Sequence, residues 1–229
     1  MKILALCAHP DDIEIFMFGL LSIYKKEGNE VFAMIATDGS KGGAKENKLL
    51  SKKREKEAIY ALENLSRPIF LNITDGELGE DPNHRKIIKE NILKIMPDLI
   101  ITHSQNDYHS DHRTLSFLTS SVVSHYIPIL YCDTLMGVNF NPNFYVDITD
   151  YFLLKEAAIL KHKTQKPQRF VDLSKLMNSY RAAQCNAPRG TYAEAYSFEP
   201  SFPFIDIRQI LPSPLKLRPF HIENQHGFL

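Results

Sequence analysis

The sequence predicts an α/β domain built on a mostly parallel sheet with helices on both faces. Two observations carry this: short apolar runs alternate with longer segments whose apolar residues recur at helical spacing, and several runs end in turns carrying Asp, Gly or His. Strands alternating with helices of roughly 10 to 15 residues are the pattern of βαβ units. Composition agrees, because 44% hydrophobic and 24% charged residues describe an ordinary globular protein. The 229 residues are read as one domain, 1–229, large enough to bury roughly 70 to 75% of the unfolded surface.

Residues 3–7 are a short apolar run leading into His9-Pro10-Asp11-Asp12, and residues 13–27 carry apolar side chains at helical spacing until Gly28 stops them. The pattern is strand, loop, helix. A second strand, 31–36, ends in Thr37-Asp38-Gly39, and a polar stretch over 40–48 leads into a charged amphipathic helix over 49–65. A third strand is expected near 68–72, a turn at Asp75-Gly76, a helix over 82–95 and a fourth strand over 98–102 that ends at His103. There follow a helix over 111–125, an apolar run at 127–131, a strand at 144–146 and helices over 150–162 and 172–184. Five of the 13 prolines fall in the last 30 residues, which predicts an extended C-terminal arm over about 200–229. Such an arm packs either on its own domain or on the second subunit of a homo-oligomer.

Charge and cysteine usage exclude several classes. The 27 Lys+Arg balance 27 Asp+Glu to a net +0, so no electrostatic case exists for a nucleic-acid partner. The longest apolar stretch, 15–23, includes a glycine and a serine and falls well short of the roughly 20 residues a transmembrane helix needs. The apolar residues 3–8 after Lys2 are fewer than the about 7 to 15 of a signal-peptide core, and a cytoplasmic location is expected. Cys7, Cys132 and Cys185 lie far apart with no C-x-x-C pair, so neither a thiolate zinc site nor a disulfide framework is indicated.

Two clusters at predicted strand ends carry the chemistry: Ala8-His9-Pro10-Asp11-Asp12-Ile13-Glu14 and Asn106-Asp107-Tyr108-His109-Ser110-Asp111-His112-Arg113. A catalytic zinc takes three protein ligands and keeps a fourth position open, and His9, Asp12 and His112 supply such a set. His9 and Asp12 stand three apart across a helix start, where side chains share a face. Asp11, next to a ligand but pointing elsewhere, is then free to take a proton from the attacking water. His109, three residues before His112, reaches the same pocket from the other side. The plainer reading is that Asp11 or Asp12 caps the first helix and Asp111 the later one. For either cluster alone the two readings are balanced; both together, at the ends of strands in an α/β sheet, favour ligands.

The remaining signals are weaker. His84, His103, His125, His162, His221 and His226 have no comparable setting and are read as structural or exposed. Tyr108 either donates its hydroxyl to a substrate or packs. Gly39-Ser40-Lys41-Gly42-Gly43 matches neither phosphate-binding glycine pattern, Lys52 to Glu57 is a solvated helix face, and a G-x-S-x-G elbow is missing.

The two clusters together resemble the signatures of the LmbE-like or PIG-L-like N-acetylglucosaminyl deacetylases, A-H-P-D-D-x-E followed by H-x-D-H. Shorter similarities run through most of the chain: Arg54-Glu55-Lys56-Glu57 to an R-x-x-E helix, and Pro97 through His103 to the penultimate strand. Tyr145 through Thr149 with Lys155, His162-Lys163-Thr164-Gln165, and Tyr192-Ala193-Glu194-Ala195-Tyr196 are similar to further family segments. The resemblance implies a Rossmann-like three-layer fold and one zinc ion per chain held by His9, Asp12 and His112. It also implies Asp11 as general base and His109 as opposing acid or oxyanion stabiliser, with Arg54 reaching the substrate sugar and Asp111 behind the ligands. Two segments depart from the family pattern: Ile15-Phe16-Met17-Phe18-Gly19, where relatives carry small residues and paired glycines, and Asp38-Gly39-Ser40 in place of D-G-E.

The activity implied is removal of an acetyl or other N-acyl group from an N-acetylglucosamine-type sugar or its conjugate, a small-molecule substrate. Ligand type also admits Fe or Co in place of zinc. Two His and one carboxylate equally describe the facial triad of a non-haem Fe(II) oxygenase, and a catalytically silent carbohydrate-binding protein is the third reading. Asp11 and His109, both in place, favour the hydrolase.

Overall fold

The computed structural model describes residues 1–43, 48–123, 126–200 and 204–215. Its seven strands are β1 (Lys2–Cys7), β2 (Glu30–Thr37), β3 (Ile69–Ile73), β4 (Leu99–Thr102), β5 (Ile129–Cys132), β6 (Phe144–Asp147) and β7 (Ala193–Phe198). They form one sheet in the order β3-β2-β1-β4-β5-β7-β6. Pairing is parallel from β3 through β5, whereas β7 runs antiparallel to both β5 and β6. The helices are α1 (Asp12–Phe16), α2 (Phe18–Lys26), α3 (Lys48–Ala61), α4 (Asn83–Ile95), α5 (Ser110–Val123), α6 (Phe152–Ile159) and α7 (Gln168–Gln184). The strand order reverses between β1 and β4, so a crevice opens above their carboxyl ends, where open α/β sheets bind ligands.

Residues 3–7 read as an unbroken apolar run because both faces of β1 are covered. Ile3, Ala5 and Cys7 enter the layer that holds Ile13, Leu20 and Tyr24, while Leu4 and Leu6 enter the layer of Met34, Ile88 and Ile92. Among the described residues, no helix is long and apolar enough to cross a membrane.

Three elements differ from the sequence expectation. The helix expected over 13–27 is two helices broken at Met17, whose φ is −143°. Glu194 is the cause: its carboxylate accepts the Gly19 and Leu20 N–H groups at 2.9 and 2.8 Å, which satisfies a new helix start from across the chain. Strand β7, Ala193–Phe198, is not among the expected strands; it pairs antiparallel with β5 and β6 and fills the sheet between them. Helix α7 begins at Gln168, just after Pro167, rather than near 172.

Two buried ion pairs fasten the C-terminal half. Lys155 donates to Glu194 at 2.8 Å, and Tyr196 adds its hydroxyl to the same carboxylate at 2.7 Å. Arg181 grips Asp133 through two nitrogens at 2.6 and 2.9 Å, a bidentate pair that ties α7 to the loop after β5. Much of the expected arm over 200–229 lies outside the described residues, as do His125, His221 and His226. Its described part, 204–215, packs back on the domain: Tyr24 donates to the Ile210 carbonyl at 2.6 Å, and Pro214 bridges Val146 on β6.

Candidate active site

The chain leaves β1 through a tight turn in which the Asp11 and Asp12 N–H groups point back to the His9 carbonyl at 3.0 and 3.3 Å. The Asp12 carboxylate turns inward and accepts the His9 N–H at 2.7 Å. Asp11 occupies the N-cap position of α1 yet makes no side-chain capping bond; its carboxylate accepts Arg54 Nη2 at 2.9 Å instead. Asp111 accepts the Gly76 N–H from the loop after β3 at 2.9 Å. None of the three aspartates spends its carboxylate in the way the capping reading requires.

The first turn of α5 brings His112 over the same crevice. His9 Nδ1 lies 3.2 Å from His112 Nε2, and Asp12 Oδ2 lies 3.3 Å from each of these two nitrogens. Four ligands at about 2.0 to 2.1 Å around a tetrahedral zinc stand about 3.3 Å from one another, so this triangle fits one face of such a site. The opposite ring nitrogens are held by carboxylates: His112 Nδ1 by Asp107 at 2.9 Å, and His9 Nε2 by Asp111 at 3.2 Å and Asp75 at 3.3 Å. Such partners fix the tautomer that aims a lone pair at a metal.

Other donors nearby are less suited. His103 stacks on His112 with ring centroids 3.7 Å apart, but its Nε2 accepts the Ala8 N–H at 3.0 Å, which leaves no lone pair there for a metal. The His109 ring lies 4.8 and 4.7 Å from those of His9 and His112. His109 Nδ1 accepts the Asp111 N–H at 3.3 Å, so Nε2 is the nitrogen that carries hydrogen in the neutral ring.

Electrostatics follow the contacts. Burial opposes charge on His112, but Asp12 and Asp107 outweigh it and lift the metal-free imidazole to about 9. His9 is also raised, since Asp111, Asp12 and Asp75 overcome its burial. Burial, joined by the charge of His112, pushes His103 down to about 4. Burial and the charges of His9 and His112 hold His109 below the usual imidazole range, which favours the neutral Nε2–H donor. Despite burial, Asp75, Asp107 and Asp111 are lowered by their histidine partners, and Asp12 by His112 and His103.

These groups open into a cavity of about 370 Å³. The loops after β2 and β3 contribute Lys41, Gly42, Asp75 and Gly76; Tyr108, half exposed, stands at the rim. Ile15, Phe16, Leu135 and Phe170 supply the apolar part of the lining. Arg54 lines the cavity but is 3% exposed, and its terminal nitrogens donate to Asp11 and to the Gly39 carbonyl at 3.0 Å. The glycine-rich loop exists for this guanidinium, because a Cβ on Gly39 or Gly42 would collide with it. Larger cavities occur elsewhere, and the one beside β6, about 610 Å³, has no histidine or carboxylate in its lining.

Some of these roles have little or no local signal in the sequence. Asp107 lies inside the second quoted cluster, five residues before His112, and that spacing was its only signal. Asp75 was read as a turn residue, and nothing local announces that β3 delivers it to His9. Glu57 of the R-x-x-E helix accepts the Thr164 N–H and hydroxyl at 2.9 and 2.6 Å, so two short motifs dock on each other behind Arg54. His162, read as structural, is buried against Glu14 at 3.0 Å.

A sheet with its crevice at the β1/β4 switch point, carrying a His–Asp–His triangle, defines the class, and the sequence match agrees with it. The chain belongs to the PIG-L family, described as GlcNAc-PI de-N-acetylase, whose model matches residues 4–123. Diacetylchitobiose deacetylase of Thermococcus kodakarensis is 29% identical over 189 residues, covering 73% of this chain and 71% of the relative. The structure of N,N'-diacetylchitobiose deacetylase from Pyrococcus horikoshii superposes with a TM-score of 0.77 at 25% identity, over 92% of this chain and 86% of the other. GalB, the 4-carboxy-2-hydroxymuconate hydratase of Pseudomonas putida KT2440, reaches the same TM-score of 0.77 at 19% identity over 90% and 98%, a likeness of fold alone.

Proposed function

We propose that this chain is a metal-dependent amide hydrolase that removes an N-acyl group, acetyl in the simplest case, from an N-acetylglucosamine-type sugar or its conjugate. The observation that carries the reading is the triangle of His9 Nδ1, Asp12 Oδ2 and His112 Nε2, with sides of 3.2, 3.3 and 3.3 Å, next to an Asp11 carboxylate that is not used as a cap. His9, Asp12 and His112 would hold a divalent ion, with zinc the best match to the donor set. Bound there, the metal would supply Lewis acidity, bringing the pKa of water down towards about 7 and polarising a carbonyl.

The protein's own groups do the rest. Asp11, fixed by Arg54, accepts a proton from the attacking water. His109 offers Nε2–H to the amide oxygen as negative charge gathers on it, which stabilises the transition state more than the ground state. The proton held by Asp11 passes to the nitrogen as the C–N bond breaks, so a carboxylic acid and a free amino sugar leave. Asp107, Asp111 and Asp75 keep the ligand imidazoles in the required tautomers.

The test is release of primary amine from N-acetylglucosamine and its conjugates by the purified, zinc-loaded protein. Activity should vanish with chelator and return with Zn²⁺. Asp11→Asn should lose about 10² to 10⁴ in kcat and keep its metal, and His112→Ala should lose both. Full turnover by Asp11→Asn would overturn its role; oxygen uptake with Fe(II), and no amine release, would instead favour an oxygenase.

A further inference from the structure

We infer that the site binds its amide in one orientation, with the acyl group against the Phe16–Leu135–Phe170 wall, and that this wall accepts N-acyl chains longer than acetyl. The inference rests on the hydrolase reading above and deepens it by naming the acyl specificity.

The two sides of the cavity differ in origin and in chemistry. On the β2/β3 side stand Lys41 and the backbone around Gly42 and Gly76, groups suited to sugar hydroxyls. On the β5 side stand Phe16 from α1, Leu135 from the loop after β5, and Phe170 from α7. An amide placed at the His9–Asp12–His112 triangle has a polar end and an apolar end, and only one placement matches both walls. The reverse placement would bury hydroxyls against Phe16 without partners, which costs free energy.

Depth argues for a chain longer than acetyl. Phe16 is 5% exposed and meets the His112 ring edge-on at a centroid distance of 6.0 Å, so the first methyl group finds its contact there. Leu135 and Phe170 pack against the core, stay partly exposed and line the cavity. A longer acyl chain would cover that apolar surface.

The wall is also held in place. Leu135 sits two residues after Asp133, whose bidentate pair with Arg181 fastens the loop to α7, the helix that carries Phe170. Thr134 closes the loop on the Val138 carbonyl at 2.6 Å, and Gly137, at a φ of +70°, lets Arg181 pass where a Cβ would come within 2.7 Å of its Nη2. A rigid apolar wall selects by length and shape, and each added methylene it buries is worth up to about fourfold in affinity.

Zinc-loaded protein is assayed with N-acetyl-, N-propionyl- and N-butyrylglucosamine by amine release, and binding of acetate, propionate and butyrate is titrated in parallel. Expected are propionyl and butyryl substrates turned over at least as well as acetyl, tighter binding of butyrate than acetate, and a lower butyryl-to-acetyl ratio of kcat/KM in Leu135→Ala and Phe170→Ala. A butyryl substrate cleaved more than tenfold more slowly than acetyl, together with butyrate binding no tighter than acetate, overturns the inference and leaves the deacetylase reading standing. Equal losses on all three substrates in Phe170→Ala, with an unchanged ratio, would place the sugar on this wall and also overturn it. Amine release from none of the three sinks the hydrolase reading itself.

Discussion

Asp11 and Arg54 show how single side chains divide the work. The guanidinium sends one nitrogen to Asp11 and another to the Gly39 carbonyl, enclosed by glycines that have no Cβ to displace it. Arg54→Ala is therefore expected to lower kcat more than it raises KM, because Asp11, the proposed base, loses its orientation; steady-state kinetics on an N-acetyl sugar separate this from direct sugar binding, which would mainly raise KM. Asp107→Asn is expected to weaken metal binding by about 10- to 100-fold, since it loses the carboxylate that orients His112; competition with a chelating dye measures it. The grouping of His9, Asp12 and His112 was legible because their types and spacing match a metal-ligand set. Asp75 was not, because a turn aspartate looks the same whether or not a strand carries it to a histidine.

At the scale of elements, Glu194 is the clearest case of remote control. One carboxylate starts α2 through Gly19 and Leu20, pairs with buried Lys155 and takes the Tyr196 hydroxyl. Glu194→Gln leaves the Lys155 charge buried without its partner, at an expected cost of about 3 to 5 kcal/mol, read from urea unfolding. The same carboxylate explains why a continuous helical pattern over 13–27 became two helices. Periodicity records which side chains are apolar and at what spacing; it holds no record of an acid 175 positions away. Gly19 fits this junction for a steric reason as well, since a Cβ there would collide with Ile148.

For the molecule as a whole, the candidate metal site couples to stability. In the metal-free chain His112 is lifted to about 9 and His9 is also raised, whereas an unfolded histidine titrates near about 6.5. At these two histidines folding then binds extra protons between these values, so their contribution to stability is full below about 6.5 and is lost as pH rises through about 9, by on the order of 3 kcal/mol for His112, while His103, held at about 4, acts with the opposite sign only below this window. Chelator-treated protein should show a Tm that falls across this window. Zinc-loaded protein should not, because its ligands must be deprotonated to bind and protons compete with the metal only as pH falls. A flat Tm in chelator would contradict the burial and pairing described for these two histidines.

Apolar periodicity and the two polar clusters were enough to establish an α/β sheet, the placement of most helices, and the residue types that meet at the crevice. They sufficed because burial imposes its own spacing along a strand or helix, and because ligands for one ion come from a short chemical menu. The close approach of positions 9, 12 and 112, the carboxylates behind the imidazoles, the split first helix and the two unlike walls of the cavity were settled by folding. Each depends on distances between segments far apart in the chain, and local pattern holds no information about those. The hydratase on the same fold makes a related point, since shared architecture leaves the chemistry to the side chains at the site.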